Sequence, residues 1–206
     1  MTSKVSICNT AITYLGLRPI DSLTSGRKEA IACNREFDGC VRSLLVIHPW
    51  NFAIKRAAAA LADDVYRYGY TYRYTLPADC LRVLYTNDKD YVEFVVEGRQ
   101  LLSNFDLEWI KYIYDNKDIS TYPAYFVKLL SMYLAWTISY EMLQSPSYTR
   151  SLNESYNLYK TEAFSLDGQE GTMVHTVGEE LLLARYGLTD TSPLGVGGWA
   201  THLRDK

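Results

Sequence analysis

Any chemistry this chain performs has to come from a short set of side chains. Its three histidines, His48, His175 and His202, lie far apart, and none stands beside a second ligand residue at metal spacing, so no metal site is expected. His48 precedes Pro49-Trp50 at the end of a helical pattern, where an imidazole can bond the last free carbonyls, and its expected role is structural. Neighbouring carboxylates occur at Glu36/Asp38, Asp63/Asp64, Asp88/Asp90 and Glu179/Glu180. A glycosidase needs two carboxyls facing each other across a cleft, a separation that sequence spacing does not supply. Asn87-Asp88-Lys89-Asp90 lacks the glycine and final glutamate of a calcium loop and reads as a hairpin turn. Gly195-Val196-Gly197-Gly198-Trp199 has no Lys-Ser/Thr after it and no strand before it, so it does not make a phosphate loop. No catalytic residue, cofactor or metal is expected.

The four cysteines, Cys8, Cys33, Cys40 and Cys80, form no C-x-x-C pair. Cys33 and Cys40 share a helical face about two turns, roughly 10 Å, apart, too far for a disulfide, and buried free thiols are expected.

These residues have to be positioned by elements that the periodicity predicts. Val5, Cys8, Ile12 and Leu15 trace a first helix, capped by Ser3 or Thr2 and stopped at Gly16. Ala30, Cys33, Phe37, Val41, Leu44 and His48 trace a second, ended by Pro49. Between about Val65 and Asp115 the period falls to two. Tyr70, Tyr72, Tyr74 and Leu76 alternate with Thr71, Arg73 and Thr75, and Leu81 to Thr86 with Tyr91 to Val96 reads as a hairpin about residues 87–90. A turn at Glu97-Gly98-Arg99 leads into Gln100 to Ser103, and Ile110, Tyr112 and Tyr114 mark a last strand. Helical spacing returns with Phe126, Leu129, Tyr133, Trp136, Tyr140 and Leu143, and again with Leu152, Tyr156, Tyr159, Ala163 and Leu166, ending at Gly168.

The predicted class is therefore α+β: an antiparallel bundle of about four helices, 1–64 and 123–168, interrupted by one small antiparallel sheet, 65–122. Phe37, Leu44, Leu129, Trp136 and Tyr156 are its expected core. Residues 169–206 carry Pro193, Gly195, Gly197 and Gly198 and little apolar mass beyond a possible short helix from Glu179 to Tyr186. They read as an arm that orders only on a partner, with Leu194, Val196, Trp199 and Leu203 as the candidate docking side chains.

Composition agrees with a packed, assembling protein. Of the 206 residues 48% are hydrophobic and 22% charged, which supports a core over most of the length. A net charge of −3 argues against a general positive surface for nucleic acid, and 18 Tyr against 6 Phe suits half-wet subunit interfaces. Neither a secretory signal core nor an apolar run of spanning length is apparent, so synthesis and folding in the cytoplasm are expected.

Particular stretches add a family. Asn9 to Gly16 (NTAITYLG), Ala32-Cys33 with Phe37-Asp38 and Val41-Arg42, and His48 to Arg56 (HPWNFAIKR) come first. Tyr70 to Tyr74, Leu76 to Val83 (LPADCLRV), Trp109 to Tyr114 and Tyr125 to Leu143 follow in that order. Over residues 5–167 the chain resembles the tail tubular protein A family of short-tailed bacteriophages. The resemblance implies a non-enzymatic head-to-tail adaptor of the virion tail, made in the host cytoplasm. Such a protein forms a ring of twelve subunits under the portal, offers a platform to the tubular nozzle (a tubular protein B-like partner), helps seat tail fibres and encloses the path of DNA ejection without sequence-specific contact. No membrane partner is implied. The segment after Gly168 matches no motif of that family. The alternative classes are a tail-associated cell-wall hydrolase, which needs a cleft with a carboxylate of raised pKa, and a peptide-binding or regulatory module, which needs a groove on a stable monomer or dimer.

Overall fold

A computed structural model describes residues 2–62, 69–87 and 93–170, all within one compact unit, Met1–Glu170. Four α-helices arise where the apolar spacing is helical: α1 (Lys4–Tyr14), α2 (Lys28–Ile47), α3 (Ala124–Leu143) and α4 (Pro146–Gln169). Ser3 caps α1, its hydroxyl accepting from the Ser6 amide at 3.1 Å, and Gly16 takes the left-handed φ of +69° that releases the chain. Pro146 opens α4 in its first turn, where its missing N–H costs no helical bond.

The helices assemble around α3, which packs on α1, α2 and α4. Phe126, Leu129, Leu130, Leu134, Ala135 and Ile138 are buried along it, and Ile7, Ile12, Phe37, Leu44 and Leu45 meet them from α1 and α2. Of the five side chains expected in this core, Phe37, Leu44, Leu129 and Tyr156 are buried. Trp136 is half-buried at the rim, stacked on Tyr156 with ring centroids 6.1 Å apart. All four cysteines are buried free thiols.

The expected architecture, a helical bundle interrupted by one small sheet, is not the one adopted. The described residues are mixed, 51% helical and 20% strand, and their seven strands form two antiparallel sheets. The first sheet has the order β1 (Ile54–Ala58), β7 (Trp109–Tyr114), β4 (Cys80–Thr86). The second has the order β2 (Ala60–Leu61), β3 (Tyr72–Thr75), β6 (Gln100–Ser103), β5 (Phe94–Glu97).

Three features account for the difference. Strands begin at Ile54, inside the segment read as bundle, because Ile54 to Ala58 is too short and too polar to announce a period of two. Leu81–Thr86 does not pair with the strand that follows it: β4 joins β7 and β5 joins β6, so the anticipated hairpin between them is absent. Asn87 redirects the chain there, with a left-handed φ of 50° and a side-chain oxygen that accepts from the amides of Glu108 at 2.8 Å and Trp109 at 3.3 Å. Finally, only Ala59 separates β1 from β2, so the chain passes from one sheet to the other within a single residue. The turn at Gly98 does form, with φ +59° and a two-residue connection between Glu97 and Gln100.

β7 is the central strand of the first sheet and serves two cores. Ile113 belongs to the helical core, while Ile110 and Tyr112, on the opposite face, join Tyr74, Leu76, Cys80, Leu101 and Leu107 in a second core between the sheets. No helix among the described residues is long and apolar enough to cross a membrane.

Candidate functional site

The most densely wired polar centre among the described residues is built from the His48-Pro49-Trp50-Asn51 turn. Pro49 ends α2, and the chain turns back on itself so that the Trp50 indole is fully buried, donating from Nε1 to the Leu44 carbonyl at 2.7 Å. Edge-to-face contacts at 5.1 Å to Phe126 and 5.4 Å to Phe164 fix the ring between α3 and α4. Phe52 packs on Phe126 at 4.8 Å and on Tyr122 at 5.6 Å, so aromatic contacts tie the turn to α3, α4 and the segment that leads into α3.

At the centre lies Asp167, in the last turns of α4 and only 2% exposed. One carboxylate oxygen accepts from the Asn51 amide at 3.1 Å and from the Tyr125 hydroxyl at 2.9 Å; the other is 3.0 Å from His48 Nε2. The Asn51 side-chain amide donates to the Asp167 carbonyl at 2.6 Å. His48 stacks flat on Phe164, centroids 4.3 Å apart, and meets Trp50 at its edge. The expectation that His48 would bond the last carbonyls of α2 is thus replaced by a bond to a carboxylate 119 positions away. Burial and the adjoining Asp167 carboxylate push the Tyr125 phenol well above its ordinary range, so it stays protonated as a donor. With both oxygens of Asp167 engaged and no Ser or Cys among its partners, the arrangement fixes the end of α4 rather than activating a nucleophile.

The Leu76-Pro77-Ala78-Asp79 turn forms a second joint. The Asp79 side chain accepts from Lys55 Nζ at 2.9 Å and from the Tyr112 hydroxyl at 3.1 Å, tying β1 and β7 to the turn. The Lys55 hydrogen bond holds the Asp79 carboxyl below the usual range, whereas burial, aided by Asp79, pushes Tyr112 up to about 12. Arg99 reaches the Pro77 and Cys80 carbonyls from the other sheet.

The remaining carboxylates and clefts offer less. Glu36 pairs with Arg35 at 2.7 Å and Asp38 with Lys4 at 3.1 Å, both at the surface. A cleft of about 280 Å³ lies between α2 and the chain around Asp115, but both its carboxylates are paired, Asp38 with Lys4 at 3.1 Å and Asp115 with Arg42 at 2.8 Å beside Lys117 at 3.8 Å. Among the described residues no group of His, Cys, Asp and Glu has the arrangement of a metal site. No family model matches the chain, and no curated protein matches it. The docking candidates Leu194, Val196, Trp199 and Leu203, with His175, His202 and the pairs Asp63/Asp64, Asp88/Asp90 and Glu179/Glu180, lie outside the described residues.

Sequence reasoning singled out His48, Trp50 and Asn51 but missed Asp167 and Tyr125, whose pairing with the turn carries no local signal. It also missed a row of cations and rings on the first sheet. Arg56, Lys111 and Tyr85 stand directly across from one another on β1, β7 and β4, with Trp109 one step along the same face. Arg56 lies 5.9 Å from the Trp109 ring and Lys111 5.6 Å from that of Tyr85. Only the register, unreadable before β4 was known to pair with β7, brings these residues together.

Proposed function

We propose that this chain is a structural virion protein, the adaptor-ring subunit that joins the portal of a short-tailed phage capsid to the tail nozzle and tail fibres. The observation that carries the reading is the ordered series NTAITYLG, HPWNFAIKR and LPADCLRV. Its two most specific segments are used as joints. HPWN links α2, α3 and α4 through Asp167, and LPAD links the strands through Asp79. Residues spent on joints of this kind suit a subunit that must keep its shape while loaded between larger assemblies. In this reading the chain has no catalytic role, residues 171–206 supply the contact to the portal through Leu194, Val196, Trp199 and Leu203, and DNA passes through the ring without sequence-specific contact.

The test is reconstitution. Full-length protein mixed with purified portal rings should add a layer of twelve-fold symmetry in electron micrographs. Absence of that layer, together with clearing of a cell-wall zymogram by the isolated protein, would replace the adaptor with a hydrolase.

A further inference from the structure

We propose that the cation–aromatic face of the first sheet docks on the outer face of α4 of a second copy of this chain. The inference rests on the ring-subunit reading and names the contact that would build the ring.

The donor surface is the row Arg56, Lys111 and Tyr85 with Trp109 beside it. Arg82 lies on the same face, one cross-strand pair nearer the helices, opposite Ile113. Tyr85 is 59% exposed, and no carboxylate among the described residues pairs with Arg56, Lys111 or Arg82. Three cations and two rings on one sheet face form a surface with an apolar body and positive charge that no carboxylate among the described residues pairs with, in a protein whose net charge is −3.

The complementary surface is on α4. That helix buries Tyr156, Ala163 and Asp167 on one side, and the opposite stripe runs through Glu154, Leu158 and Glu162 at intervals of one turn. Leu158 is 78% exposed, the most exposed large apolar side chain described. Ser151, Ser155, Thr161 and Ser165 flank the stripe, and the exposed Arg150 stands one turn before Glu154 at its N-terminal end, so the acidic part of the stripe is Glu154 to Glu162. It therefore presents a leucine between two carboxylates set eight residues, about 12 Å, apart along the helix. On the sheet, Arg56 and Arg82 stand two strands and one pair apart, also about 12 Å. A leucine seated against Trp109 and Tyr85 would bring each carboxylate to a cation.

Within one chain the two surfaces do not meet, because α4 is held to α3 by Tyr156 and Ala163 while β7 is clamped between two cores. The contact is therefore between copies. It is also heterologous, since the sheet face repels its own copy, and head-to-tail contacts give a ring where the rotation between copies closes and a filament where it does not.

The experiment uses the full chain and two charge reversals, R56E/K111E and E154K/E162K, none of which touches a core. Sedimentation equilibrium should show concentration-dependent, salt-sensitive association of the parent and a loss of roughly tenfold or more in affinity for each variant alone. An equimolar mixture of the two variants should recover association, because every contact between unlike copies is again of opposite sign. A weak contact is captured by Y85C/L158C under mild oxidation, the native thiols being buried; a ladder on a non-reducing gel supports the docking. Unchanged association of the variants, no recovery on mixing, or no ladder at any concentration overturns it. Binding of a single-stranded oligonucleotide abolished by R56E/K111E, without effect on association, overturns it in favour of a nucleic-acid surface. If the charge variants still form complete layers on portal rings, the contact fails while the adaptor reading stands; if the parent forms no layer, the adaptor reading fails with it.

Discussion

Asp167 shows how much one side chain holds. Replacing it with alanine leaves the Asn51 amide, the Tyr125 hydroxyl and His48 without their acceptor in a buried site, and the expected cost is about 3 kcal/mol of folding stability, read from the urea midpoint. Tyr125→Phe removes one of those bonds and should cost about 1 kcal/mol. Tyr112 makes a prediction in pH. Its folded pKa of about 12 lies above the free value near 10, so the fold prefers the neutral phenol. The stabilisation is complete below about pH 10 and lost as pH rises through about 12. Urea midpoints measured across that window should fall for the parent and fall less for Tyr112→Phe. At this scale the sequence was half legible. The Pro after His48 announced the end of a helix, but the partner carboxylate beside Gly168 reads as an ordinary helix-end residue until the helices are packed.

Among the elements, helices were easier to see than sheets for a physical reason. A helix satisfies its hydrogen bonds within a dozen residues, so the stripes of Phe37 and Leu44 or of Leu129 and Phe126 state their own geometry. A strand is completed by another strand, and the period of Leu81 to Thr86 is the same whether its neighbour is β5 or β7. The bulges between Cys80 and Arg82 and between Val83 and Tyr85 blur it further. One element boundary makes a sharp test: Gln144, which ends α3, adopts a left-handed φ of 49° and donates its amide to the Tyr140 carbonyl at 2.9 Å. Gln144→Gly should raise stability by about 1 kcal/mol, seen as a higher thermal midpoint, because glycine pays no Cβ penalty there. Gly16→Ala, at φ +69°, should lower it by a similar amount.

For the molecule as a whole, Met1–Glu170 is a compact unit, which sets where it can be cut. Sequence alone placed the end of the body at Gly168, but α4 runs through it to Gln169, and the Glu170 amide donates to the Asp167 carbonyl at 3.2 Å. Truncation after Glu170 should therefore keep the parent's thermal midpoint while abolishing capture by immobilised portal rings. A truncated protein that binds portal as well as the parent would move the docking site onto the body.

The clamp at Asp167 also has a mechanical meaning. Tension applied to the chain beyond Glu170 reaches Asp167 within three residues, and there it passes sideways through the bonds to Asn51, Tyr125 and His48 into the Trp50 joint. Bonds loaded together in shear resist far longer than a helix peeled one turn at a time. A tether pulled from that end should thus yield in one abrupt event at high force, and Asp167→Ala should turn that event into a gradual unwinding of α4 from its C-terminus.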